Sequence, residues 1–249
     1  MSLWRLEWLR LVRTPRALAL GAVFVAVGLI EPVVTRYEST LLAHVGNGVQ
    51  VSGPPPTPAD GLNGYVSEVA FVGLILIVIL TASAFSFDAR PGLSTFLRTR
   101  VASSWQLVTP RFVVCAAGAA GAYLLGTVAA WIQIRSLLGS LPAAGLLGGM
   151  LCGVAYLTFA VAVTALAASV GRGTLATAGI AFGVLLALPI LGTIHAIGNW
   201  LPSALVNAPV DLVDGAHQLP YFLPTVGVTV VASAGALYTA AIRLRGREI

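Results

Sequence analysis

Apolar residues come in long blocks along this chain, and the blocks are about as long as a bilayer is thick. A helix crossing roughly 30 Å of hydrocarbon needs about 20 apolar residues. Six segments reach that length: Ala17 to Val34, Val66 to Phe87, Phe112 to Ile134, Ala143 to Val170, Thr174 to Ile194 and Phe222 to Ile242. The pattern predicts an all-α polytopic membrane protein, with residues 1–249 forming a single transmembrane unit. The other stretches are an amphipathic start (1–16), a loop between spans two and three (88–111), two further long loops (35–65 and 195–221) and short connectors.

The start has its own periodicity. Trp4, Trp8, Leu11 and Val12 repeat at i, i+4, i+7 and i+8, one face of a helix. Arg5, Glu7, Arg10 and Arg13 occupy the rest of the wheel. Trp and Arg together suit a helix lying in the headgroup region. The alternative is a plain basic flank to the first span. Pro15 is expected to end the helix, because a helix interior needs the N–H that proline lacks. No cleavable signal peptide is read here, so the first apolar run is expected to remain as an anchor.

Composition narrows the function class. Of 249 residues, 57% are hydrophobic and only 9% charged, and the mean hydropathy is +0.92. A soluble domain carries about 25% charged residues. An ordinary soluble enzyme, a disordered chain and a nucleic-acid-binding domain are therefore excluded. The net charge of +5 comes entirely from arginine, since the chain has no lysine. A Walker A loop needs lysine to reach the β- and γ-phosphates, so any ATP hydrolysis is expected on another chain. The all-Arg, Ala/Gly/Val-rich usage points to a high-GC bacterium.

Arginine also sets the orientation. With the N-terminus inside, Arg5, Arg10, Arg13, Arg16, Arg90, Arg98, Arg100, Arg111, Arg172, Arg243, Arg245 and Arg247 are cytoplasmic. Only Arg36 and Arg135 fall outside. Cytoplasmic loops favour basic residues, so both termini are expected in the cytoplasm and the protein in the cell membrane. Counting acids too, the inner segments sum to about +9 and the outer ones to about −4.

The loop after span two carries the most information. It opens on Asp88 and Arg90, then turns at Pro91-Gly92. Leu93, Phe96 and Leu97 fall at i, i+3 and i+4, giving a short helix with a compact apolar face flanked by Arg98 and Arg100. Such a face suits docking to another protein, or it lies on the membrane.

In layout, nearly the whole chain resembles the membrane subunits of ABC-2 type transporters. Those subunits have an in-plane N-terminal helix, six spans and cytoplasmic ends. Asp88, Arg90, Gly92 and Leu93 look like the family's acidic-Arg-x-Gly-Leu stretch, with Asp in place of the usual Glu. Phe96 and Leu97 look like the docking pair of its coupling helix. The proline that follows that helix in the family is absent here. Arg111 stands where the family often has a basic residue opening span three. The short turn Ser169 to Gly173 looks like its second inner connection. The resemblance implies a partner ATP-binding subunit that holds ATP and magnesium, with no cofactor on this chain. It also implies a second copy or sister permease, and export of a lipophilic cargo.

Other features leave alternatives open. Gly145, Gly149 and Gly153 form two overlapping G-x-x-x-G motifs in span four. They allow close helix contact, either between subunits or within one. The first outer loop, with Gly53-Pro54-Pro55-Pro56, is expected to be irregular, and the second to contain short helices. His195, Asp211, Asp214 and His217 match no metal spacing, so no metal site is assigned. Glu31 and Glu68 lie near the outer ends of spans one and two, and the span interiors hold no other acid. That disfavours an ion-coupled secondary transporter, as does the lack of an internal repeat. An intramembrane enzyme is disfavoured by the lack of catalytic motifs, and no catalytic residue is assigned. A membrane assembly or scaffold role remains the other reading.

Overall fold

The computed structural model describes residues 3–13, 15–45, 55–85, 104–194 and 197–246, and these are helical with short connections and no strand. Helix α1 spans Leu3–Arg13 and α2 Pro15–Val45. Next come α3, Pro58–Glu68, a π-helical turn at Val69–Gly73, and α4, Leu74–Phe85. Then follow α5, Ser104–Leu137, α6, Ala143–Ala168, and α7, Thr174–Gly192. Two 3₁₀ turns, Gly198–Trp200 and Pro202–Leu205, lead into the short α8, Ala208–Val213, and into α9, Leu219–Gly246.

Among the described residues, six stretches are long and apolar enough to cross a membrane: Arg16–Glu38, Pro58–Phe85, Trp105–Leu137, Ala143–Ala168, Thr174–Gly192 and Leu219–Leu244. Large apolar side chains cover their outer faces, with Leu175 at 87% exposure, Val231 at 72% and Ile190 at 71%. Hydrocarbon, not water, suits such a surface. The chain is a multi-pass membrane protein, and six crossings among the described residues would put Leu3 and Gly246 on the same side.

Three boundaries differ from the sequence expectation. Helix α2 runs straight through Pro32 to Val45, so residues 35–45 are helical rather than loop. Membrane helices tolerate proline where neighbours can satisfy the freed carbonyl, and Pro32 is buried. Span two starts at Pro58, not Val66, because Thr57 and Asp60 form a capping box with proline at the first helical position. The Thr57 amide donates to Asp60 Oδ2 at 2.8 Å, and the Asp60 amide to Thr57 Oγ1 at 3.3 Å. Helix α5 starts at Ser104 and takes Pro110 and Arg111 into its interior, so the end of the expected 88–111 loop is helical.

Helix α6 is the centre of the bundle. Of its most apolar stretch, 67% is buried, against 22% for α2 and α7 at the periphery. It packs against α4, α5, α7, α8 and α9. The most extensive pairing elsewhere is α2 with α5. There, a Cβ on Gly28 would run into the Gly126 carbonyl oxygen, and one on Gly126 would lie 2.7 Å from the Phe24 carbonyl oxygen. Apolar burial does not drive helices together in lipid, so close backbone contact at small residues is the main source of cohesion. Several buried hydroxyls bond within their own helix: Thr164 donates to the Ala160 carbonyl at 2.8 Å, and Ser233 to the Thr229 carbonyl at 2.7 Å.

Candidate functional site

One end of the bundle holds a largely buried ion pair. Glu7 sits in the middle of α1, and Arg111 lies two turns into α5. The Arg111 Nε donates to Glu7 Oε1 at 2.9 Å, and these side chains are only 8% and 14% exposed. Arg111 Nη1 also donates to the Ala84 carbonyl at 3.0 Å. That carbonyl belongs to the last turn of α4, where a helix has no partner of its own to offer. A cation there also suits the negative end of the helix dipole. One guanidinium therefore ties α1, α4 and α5 together. It stands where the chain leaves span two and re-enters at span three.

Beside it, Arg16 at the start of span one donates to Ser83 Oγ at 3.1 Å. Trp4 and Trp8 on α1 are about half exposed, and Arg5 is exposed. The side chains of Arg10 and Leu11 lie outside the described residues, and so do all of Asp88, Arg90, Gly92, Leu93, Phe96, Leu97 and Arg98.

A second polar cluster lies deep in the bundle. Tyr65 Oη donates to the Tyr123 carbonyl at 3.1 Å, and Thr127 Oγ1 donates to the same carbonyl at 2.8 Å. The two hydroxyl oxygens are 3.2 Å apart. The Tyr65 and Tyr123 rings stack with centroids 6.3 Å apart. Gly153 of α6 leaves room for the Tyr123 ring, which a Cβ would strike. These groups join spans two, three and four at a place where water cannot replace a lost hydrogen bond.

The glycine stripe of span four has partners inside the chain. A Cβ on Gly149 would collide with the Pro209 backbone in α8, and one on Gly145 would meet the Leu212 carbonyl oxygen. The stripe thus seats the 198–213 segment on α6, with Gly153 turned to Tyr123. The segment is also held by Thr225, which donates to the Asn199 carbonyl at 2.6 Å. Near its end, His217 Nδ1 is 3.9 Å from Asp211 Oδ2, and the imidazole stacks on Tyr221 at 4.1 Å. Burial lifts the Asp211 carboxyl above the ordinary carboxylate range; the His217 charge opposes this and Asp214 adds to it. Among the described residues no three His, Cys, Asp or Glu side chains group for a metal ion.

Sequence reasoning placed Glu7 on the polar side of α1 and Arg111 at the mouth of span three, but it did not join them. The available signal was a lone acid among four arginines in the first sixteen residues, paired with a basic residue at the last position of the expected 88–111 loop. Nothing in the sequence marked Tyr65, Thr127 or Gly28.

No family model matches the chain, and no solved structure matches it significantly. It is 18% identical over 226 residues to the uncharacterized transmembrane protein YxlG of Bacillus subtilis (strain 168), covering 89% of this chain and 88% of that protein.

Proposed function

We propose that this chain is the membrane-spanning subunit of an ATP-driven exporter of the ABC-2 type. The carrying observation is the Arg111 anchor. It fastens the interfacial helix to the last turn of span two and to the beginning of span three. A push delivered to residues 86–103 would therefore reach three membrane elements at once. That is the mechanical requirement for a subunit that borrows its energy from a partner. The Asp88, Arg90, Gly92, Leu93 run and the Phe96-Leu97 pair would supply the docking face, with Arg98 beside it. ATP and magnesium would sit on the partner. The outward faces of α2 and α7 offer room for a second permease subunit. A lipophilic cargo accords with spans that are long, apolar and sparsely charged.

The test is reconstitution. This chain is co-expressed with candidate ATP-binding subunits from its own genome, purified through a tag on this chain, and assayed for ATPase activity in lipid. A stoichiometric complex is expected, and Phe96→Ala with Leu97→Ala should weaken it or uncouple its activity. A chain that purifies alone, or a complex indifferent to both substitutions, would overturn the proposal.

A further inference from the structure

A small cavity of about 20 Å³ lies where spans two, three and four meet. Val69 and Ala70 line it from span two, Tyr123 from span three, and Gly153 and Tyr156 from span four. Val206, in the segment seated on α6, completes the wall. Val69 and Ala70 belong to the π-helical turn, where the helix is widened by one residue. The lining side chains are apolar except for the two phenols.

Those phenols are deeply placed, with Tyr123 at 3% and Tyr156 at 5% exposure. The Tyr123 hydroxyl lies against Gly153, where a Cβ would strike it. Among the described residues the Tyr156 hydroxyl has no hydrogen-bond partner. A hydroxyl buried among apolar groups without a partner is costly. The cavity offers the remedy. One water needs about 10–15 Å³ by the same measure, and at least two polar groups to hold it. The volume meets the first condition and leaves no room for a larger guest. The two phenols meet the second.

We propose that this cavity binds one water molecule, which takes the hydrogen bond of the Tyr156 hydroxyl and joins it to the Tyr123 phenol. That water carries the Tyr65–Thr127–Tyr123 cluster on to span four. Its surroundings are buried, so it is a fixed part of the packing rather than solvent in free exchange. The site does not rest on the exporter reading.

A crystal structure of the full chain, at a resolution that shows ordered water, should place one water about 2.8 Å from the Tyr156 oxygen. An empty cavity overturns the proposal, and so does a Tyr156 hydroxyl bonded directly to a protein group or a lipid. A double-mutant cycle of Tyr156→Phe and Tyr123→Phe, read by reversible unfolding in mixed detergent and SDS micelles, measures the bridge. Tyr123→Phe keeps the carbonyl that receives Tyr65 and Thr127, so it removes only the phenol end. Either substitution alone breaks the bridge. Their effects should therefore fall short of additivity by about threefold in the unfolding constant, the size of an average hydrogen bond in a membrane protein. Ala70→Leu, which fills the cavity, should abolish that coupling. Additive effects in the wild-type background overturn the proposal. Coupling that survives Ala70→Leu marks a direct contact between the phenols and overturns it too.

Discussion

Removing one member of the Glu7–Arg111 pair should be among the most damaging single changes available at this end of the bundle. Arg111→Met keeps the length and apolar body of the side chain. It removes the 2.9 Å bond to Glu7 and the 3.0 Å bond to the Ala84 carbonyl. Glu7 is then left as a carboxylate with 14% of its side chain exposed. Breaking a buried ion pair in this way costs about 3–5 kcal/mol in a protein interior. The site lies at a helix end where headgroup water is near, so the cost should fall below that range, at about 2–3 kcal/mol. Glu7→Gln keeps an acceptor for Arg111 and should cost about 1–2 kcal/mol. The double variant also removes the Glu7 charge, so its cost should fall short of the sum by about 1 kcal/mol or more. Reversible unfolding in mixed detergent and SDS micelles, followed by circular dichroism, gives all four corners of the cycle. The reasoning fails if Arg111→Met lies within about 0.5 kcal/mol of the wild type, or if the two substitutions add.

Other consequences follow from the same packing. Gly149→Ala pushes a methyl into the Pro209 backbone and should cost about 1–3 kcal/mol; Gly183→Ala, with nothing within 4 Å of the new Cβ, should be neutral or stabilising by up to about 1 kcal/mol, and equal melting temperatures for the two would refute the contact. Thr127→Val removes one of two hydroxyls converging on the Tyr123 carbonyl and should cost about 0.6 kcal/mol, with Tyr65→Phe similar; a loss above about 2 kcal/mol for either would show a larger network. In a Cys115→Ala, Cys152→Ala background, Pro55→Cys should react with an impermeant maleimide on intact cells and Thr95→Cys should not; the reverse pattern inverts the orientation.

The spans were legible because hydropathy over about 20 residues is a coarse signal that single residues cannot upset. Their ends were less so, since they turn on local chemistry. Pro32 looked like a terminator and is instead carried inside a helix. Thr57, Pro58 and Asp60 looked like loop and are a helix start, a motif visible in T-P-A-D but masked by the neighbouring prolines. The polar clusters were illegible for a different reason. Tyr65 and Thr127 are 62 residues apart, and Glu7 and Arg111 are 104 apart. No periodicity reports a contact across that distance. The span-four glycines lay between the two: their spacing announced close packing, and only the fold could say that Pro209, Leu212 and Tyr123 fill the notches.

The π-helical turn at Val69–Gly73 has a consequence for how span two can change. Each residue advances a helix by about 100°, so one extra residue in a turn rotates everything beyond it by that angle. Before the turn, Leu62, Tyr65 and Val66 are buried as α3 packs against α2, α5 and α8. After it, Ile77, Val78 and Ala82 are buried as α4 packs against α6 and α7. Span two thus works as a phase shifter that addresses two sets of neighbours with one continuous rod. Deleting a single residue from 69–73 would leave every side chain in place in the list and half of them pointing the wrong way. The five residues are therefore constrained in number more tightly than in kind. Val69 or Ala70 can change type within the apolar set, but the count between Tyr65 and Ile77 cannot.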